Sequence, residues 1–372
     1  MTPLESALAL MSKIPDDASP ELLLIVAKCR GLMRGYDARW IAAGHGVEAV
    51  ECLVQSELYN PDSERKSRSF TIAGRLDTIL RVESRRLIVD HKTTSEDISD
   101  PNSPYWRQLA IEGQASHYML LEWLNGRKAD GAIWDVVRKP GISPKKLSKA
   151  DIKSVTMLKT YCGEPVSDEA IAEMQATERE TLGMYEMRLA QDCTTERPQW
   201  YFQRRIVPRL DAELHEYATE LWEHSQELLH ARRFGRHARN SGACMMYHSP
   251  CKFLGICSGH DTADSSNWQS KAQVHVELPE LSGDGKDVLT NSRIRMFQTC
   301  RRKHYLAYEV GIERLDAEER EALIFGSIWH VGQSAWFSAQ MKEVNNDDAN
   351  GSPLNAGGTA SISDATQETI SV

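Results

Sequence analysis

The sequence predicts an α/β domain, in which strands and helices alternate along one chain and pack into layers. Three observations carry this. Apolar residues follow a period of two in several short stretches and helical spacing in the stretches between them. The chain has 372 residues, 41% hydrophobic and 26% charged, enough to build a large core without disulfides. No apolar run approaches the length of a membrane span.

Taken in order, helices are expected at about 4–13 and 21–43 and strands at about 48–57, 68–81 and 86–92, the last two joined as a hairpin through Glu83 to Arg86. Next come a helix at about 105–125, a strand at 131–138 and a polar, Lys-rich linker through Lys153. Residues 167–191 have helical spacing, 197–207 read as a strand and 210–232 as a long amphipathic helix. Helices return at about 290–309 and 318–341. Residues 259–288, rich in Ser, Asp and Gly, and the polar tail 344–372 read as unstructured. No repeat of solenoid period is visible.

The formal net charge of −9 excludes a generally basic nucleic-acid-binding surface. Local positive potential suffices where phosphates are contacted at short range in salt. Two clusters offer it, Arg-Arg-Phe-Gly-Arg-His-Ala-Arg over 232–239 and Arg301-Arg-Lys-His304.

Three short motifs carry chemistry. Gly74-Arg-Leu-Asp77 ends one strand, Asp90-His91-Lys92 ends the next, and Gln114 and Tyr118 lie four apart on a helix, on one face. The period of a strand points Asp90 and Lys92 to the same side. A hairpin brings Asp77 near both. Two carboxylates suit the hard cations Mg²⁺ and Mn²⁺, and such an ion activates water and neutralises a scissile phosphate. Lys92 would stabilise charge in the transition state. The plain alternatives are an exposed salt-bridged hairpin and, for Tyr118, ordinary core packing. His91 and His117 read as neighbours of the site.

Eight cysteines occur, at 29, 52, 162, 193, 244, 251, 257 and 300. The chain length, the low cysteine density and the lack of a signal-peptide pattern disfavour a secreted disulfide scaffold and point to the cytoplasm. Cys244, Cys251 and Cys257 crowd together, and Cys300 is the best fourth ligand. Thiolates suit zinc or an iron–sulfur cluster, and spacing does not choose between them; His248 or His260 would complete a Cys3His zinc site. Cys29 and Cys52 read as small hydrophobes, and nothing marks Cys162 or Cys193 as ligands.

On these motifs the chain resembles the PD-(D/E)XK nuclease superfamily, in particular its RecB-type branch, where Gly-x-x-Asp, Asp-x-Lys and Gln-x-x-x-Tyr occur in this order. The resemblance implies a restriction-endonuclease-like mixed β-sheet flanked by helices. It implies Asp77 and Asp90 on Mg²⁺ or Mn²⁺, Lys92 as catalytic, and Gln114 and Tyr118 assisting. The cysteine triplet looks like that of AddB-like and CRISPR-associated iron–sulfur members, whose first cysteine comes from a segment similar to Phe297-Gln-Thr-Cys300-Arg-Arg-Lys-His-Tyr305. That likeness favours a 4Fe–4S clasp on Cys244, Cys251, Cys257 and Cys300, with zinc as the alternative. Phe325-Gly326-Ser-Ile-Trp-His330 matches a Gly-x-x-x-His motif and would add His330 as a metal ligand, although His330 also fits a satisfied helix histidine.

The order departs from the family. There the first cysteine and the histidine motif precede the carboxylates, whereas here they follow, and 22–40 looks like the helix after that histidine motif in phage-type members. The chain is therefore expected to be a circular permutant: a core at 1–258 with the catalytic motifs and the triplet, a flexible linker at 259–288, the permuted N-terminal helices at 289–343 and a disordered tail at 344–372. The competing reading is one domain fused to a fragment of a second.

The expected function is divalent-metal-dependent hydrolysis of DNA, as an exonuclease of recombination, repair or phage DNA metabolism. No Gly-x4-Gly-Lys-Ser/Thr occurs, so any helicase or recombination partner would be a separate chain; no membrane is expected. The alternative is a non-catalytic nucleic-acid-binding subunit with a structural iron–sulfur or zinc site. Such a module has no need of Asp77, Asp90 and Lys92 together.

Overall fold

The structure is a computed structural model that describes residues 1–246, 249–275, 278, 285–315 and 321–349, with side chains through 341 in the last of these. It opens with two helices whose starts are written in the sequence. Thr2 and Glu5 form a capping box on α1 (Pro3–Met11), and Ser19 caps α2 (Pro20–Trp40), with Pro20 at its first position.

Three long strands follow as an antiparallel meander. β1 (Gly46–Tyr59) pairs with β2 (Lys66–Val82), which turns at Glu83 and Ser84 to pair with β3 (Arg85–Thr94). The next strand runs parallel to β3, which requires a crossover; α3 (Pro104–Ala110) and α4 (Gly113–Leu124) supply it before β4 (Gly131–Arg138). The strand Phe202–Val207 closes the far edge, antiparallel to β4. On β2, the strand Asp287–Leu289 pairs in parallel with Phe70–Ile72, while β3 takes the same edge further along, from Thr78 to Val82.

Each face of the sheet carries its own core. Ile72, Leu76, Ile88 and Trp134 pack with Leu121 of α4 and Leu228 of the helix Asp211–Phe234. Leu80, Val89 and Val137 pack on the reverse with Tyr36 of α2 and with Trp329 and Trp336 of the helix Glu321–Ala349. A smaller cluster lies under Leu147, Ile171 and Met184. The expected mixed sheet flanked by helices is what forms.

The differences from the sequence reading have local causes. The helix expected at 105–125 breaks after Ala110, where the Trp134 indole captures the Leu109 carbonyl at 2.9 Å. The stretch 167–191 breaks after Thr177, because buried Glu180 takes Arg188 and the Lys145 amide, and Thr181 caps the second helix. The strand expected from 197 starts at Phe202, after a turn of helix begun by Pro198. The Lys-rich linker ends at the Ser148 capping box, so 149–158 is helical.

The largest difference is at 259–288. Its described residues are not an unstructured connector: Trp268–Ser270 pairs with Ile312–Arg314, Trp268 is buried against Phe253, and Asp287–Leu289 joins the main sheet. The sparse apolar residues are used as single anchors, which composition does not reveal. In the tail, the helix continues through Ala349, so 344–349 is not disordered, and 350–372 lies outside the described residues.

Candidate active site and cysteine pocket

Strand pairing assembles the site. The register that pairs Thr78 with Val89 stops one step short of Asp77 and Asp90. Instead the His91 amide donates to Asp77 Oδ2 at 2.9 Å. Asp90, Lys92 and Gln114 then close a compact network. The Gln114 amide donates to Asp90 Oδ1 (2.7 Å) and to the Tyr118 hydroxyl (2.9 Å), while its Oε1 accepts from Lys92 Nζ at 2.7 Å. Asp90 Oδ2 lies 2.6 Å from the same ammonium, as an ion pair, and takes no further hydrogen bond among the described residues. Lys92 also sits 5.1 Å from the Trp134 ring.

Gly74 makes this arrangement possible. A Cβ at this position would come 2.8 Å from Tyr118 Cε1, closer than side chains approach, so only glycine lets Tyr118 lie against β2.

The histidine expected from a distant part of the chain is here as well. Glu51, Asp77 and His330 each present one ligand atom, and these atoms lie within 4.8 Å of one another. His330 Nε2 donates to Glu51 Oε1 at 2.7 Å, and that bond raises the His330 pKa against the opposing effect of burial. Burial, and then the charge of Asp90, pushes the Asp77 carboxyl up to about 6. A buried carboxyl that resists ionisation beside other carboxylates is the electrostatic mark of a place for a cation. The donor set of carboxylates with one imidazole suits Mn²⁺ as well as Mg²⁺. These side chains, with Gly74, Tyr118 and residues 290–292, line a cavity of about 230 Å³.

Glu51 was missing from the sequence reading. It has φ +51°, a region that non-glycine residues seldom occupy. The neighbouring pairs Val50 with Thr78 and Cys52 with Leu76 put it level with Asp77. The two expected bystanders are indeed structural in their contacts. His91 lies on the reverse face between Asp135 (3.1 Å) and Phe337, and buried His117 bonds the Ala73 carbonyl and the Tyr217 hydroxyl.

The four cysteines expected to share a ligand line one small pocket with Arg239, Phe253 and Lys303. Cys300 breaks from its helix into extended backbone, and its sulfur accepts from the Asn240 amide at 3.5 Å. Burial raises the Cys257 thiol, and the other three thiols add to the effect. His248 lies outside the described residues. His260 bonds Ser258 instead and does not line the pocket. Of the two basic clusters, Arg239 and Lys303 border the thiols, but Arg232 is turned inward to Glu309 and Asp287. Cys29 and Cys193 are buried, and the Cys193 sulfur lies against Gly35.

A mixed sheet that holds an Asp/Asp/Lys constellation within two adjacent strands, with a Gln and a Tyr on the covering helix, defines a class of metal-dependent nuclease. The chain belongs to the PD-(D/E)XK nuclease superfamily, whose family model matches residues 4–258. Members usually use Mg²⁺ or Mn²⁺, and the acidic cluster fits that use. Among solved structures, one described as the crystal structure of SSO0001 is similar at 14% identity, over 51% of this chain and 82% of its own, with a TM-score of 0.18. No curated protein matches the chain. Among the described residues no helix is long and apolar enough to cross a membrane.

Proposed function

We propose that this chain is a divalent-metal-dependent DNA exonuclease of the RecB type, acting in recombination, repair or phage DNA metabolism. The observation that carries the reading is the convergence of Glu51, Asp77 and His330 next to Asp90 and a lysine that Gln114 holds beside it. Glu51, Asp77, Asp90 and His330 would hold Mg²⁺ or Mn²⁺, which when bound supplies Lewis acidity and lowers the pKa of water. Lys92 is aimed by two oxygens, Gln114 Oε1 and Asp90 Oδ2, so its ammonium stabilises negative charge developing on phosphate without reorganising. Gln114 keeps Asp90 and Lys92 in register, and Tyr118 fixes the free edge of Gln114. The small cavity, bordered by 290–292, supports admission of a strand end rather than a continuous duplex. Digestion of linear and circular DNA with Mn²⁺ tests this: degradation of the linear form alone is expected, and nicking of the circle contradicts exonuclease action.

The four cysteines are proposed to hold a 4Fe–4S cluster. All four sulfur-bearing side chains line one small pocket, which supports a shared ligand. The chain is further proposed to be a circular permutant, with 289–343 completing the domain begun at 1–258. This reading is supported by the proximity of His330 to Glu51 and of Cys300 to the triplet.

A further inference from the structure

We infer that a single-stranded nucleic acid runs from the catalytic cavity along a groove to a basic pocket beside the cysteines, where Arg302 and Arg239 hold its phosphates. The inference rests on the nuclease reading and adds a second contact region to it. The track is defined by cavities that share walls. The catalytic cavity meets, at Asn291, a groove of about 610 Å³ between α4 and the helices Asp211–Phe234 and Asn291–Thr299. That groove shares His224 and Gln298 with a cavity of about 350 Å³ that reaches Cys300. Arg239 joins this cavity to a pocket of about 540 Å³ lined by His237, Ser258 and Arg302. Each has the capacity of individual nucleotides rather than of a duplex.

The end of the track is chemically distinct. Among the described residues, no carboxylate lines the Arg302 pocket. Arg302 lies 5.6 Å over the Tyr305 ring, and His237 stacks on the same ring at 3.9 Å. Around the thiols the positive charge continues, with Arg239 and Lys303 lining the cysteine pocket. In a chain of net charge −9, cations gathered on one face are the electrostatic footprint of a polyanion. Along the groove, Asn291, Arg295 and Gln298 recur at helical spacing on one wall, opposite Glu213, Glu216 and Glu220. Repulsion from those carboxylates favours the Arg295 and Gln298 side, where Arg295 pairs with Glu112 at 3.2 Å and Gln298 bonds His224, so a phosphate there would exchange for these partners. Arg239 is partly committed, donating to the Cys257 carbonyl at 2.7 Å, so Arg302 is the better residue to change.

The test measures binding of labelled oligothymidylates of about 4 to about 30 nucleotides to the full chain in EDTA, across a salt series. Wild-type affinity should rise with length. Arg302→Glu, and separately Gln298→Glu in mid-groove, should cut the gain of the longest oligomer roughly threefold to tenfold and reduce the salt slope by about 0.7 for each phosphate that is no longer neutralised. Iron content and melting temperature, measured on each variant, identify a damaged fold, and the variant that keeps both at the wild-type level then decides. Both folded variants binding long oligomers as wild type does overturns the groove and leaves the nuclease reading intact. Wild-type protein that binds with this length dependence but never cleaves with Mg²⁺ or Mn²⁺ supports the groove and overturns the nuclease reading.

Discussion

Glu51 and Asp77 stand level across the β1–β2 ladder at the point where both strands exchange faces. On β1, Val50 packs into the α2 side of the sheet and Cys52 into the α4 side; on β2, Leu76 faces α4 and Leu80 faces α2. Residues two apart normally share a face, so each strand carries an irregularity at this level. Such irregularities re-aim side chains and recur beside active sites. Here both point carboxylates at one place, and His330 completes the group.

The left-handed backbone of Glu51 is held by its surroundings at a cost of roughly 1–3 kcal/mol. Glu51→Gly should therefore fold at least as stably as wild type, within about 1 kcal/mol, because glycine accepts this conformation freely. It should also bind Mn²⁺ much more weakly. Calorimetric titration with Mn²⁺ and a melting curve check both; undiminished Mn²⁺ affinity would remove Glu51 from the site.

Gly74→Ala drives a methyl group into the Tyr118 ring. Overpacking of this kind costs about 1–3 kcal/mol, and displacement of Tyr118 loosens Gln114. Adding Tyr118→Leu should recover most of the stability but not the activity. A double-mutant cycle in urea measures the coupling, and additive losses would contradict the contact.

How much of this was readable in the sequence depends on range. Asp77, Asp90, Lys92, Gln114 and Tyr118 were legible because a hairpin and a single helix face fix their relations locally. Glu51 was not, because Glu48 and Glu57 on the same strand look alike in sequence. Its one trace is that Val47, Val50 and Val54 are three and four apart, out of step with a regular strand. The strands at 268–270 and 287–289 were missed because their stability comes from pairing with distant segments and from one buried Trp268. The polar network of Tyr36, His91, Asp135, Arg204 and Gln333 behind β3 is likewise tertiary.

A pH dependence follows from Asp77. Its folded-state pKa is about 6 against an ordinary 3.8, so the folded metal-free protein holds a proton that the unfolded chain has released. That contribution to stability is fully present below about pH 4 and is lost as pH rises through about 6. Metal-free Asp77→Asn should lack this loss and melt several degrees higher than wild type at pH 8, and Mn²⁺ should stabilise only the wild type. Equal melting temperatures of the two metal-free proteins at pH 8 would count against a strained Asp77.

If 289–343 completes the domain, a chain ending at Ser258 should lose iron, stability and cleavage together. Cys300→Ala in the full chain should lose iron and sulfide but keep the Mn²⁺ site, since a ligand bound only by the native state adds to its stability locally. Iron analysis of anaerobic protein checks this, and an iron-loaded, active protein ending at Ser258 would favour a fused fragment.

If Asp77, Asp90 and Lys92 make one hydrolytic centre, the most direct test is the rate of Mn²⁺-dependent degradation of end-labelled single-stranded DNA by wild type, Asp90→Ala and Lys92→Ala. Expected are activity in the wild type that EDTA abolishes, and a loss on the order of 10²–10³ in each variant with DNA binding retained. Near-normal cleavage by either folded variant would contradict a single centre.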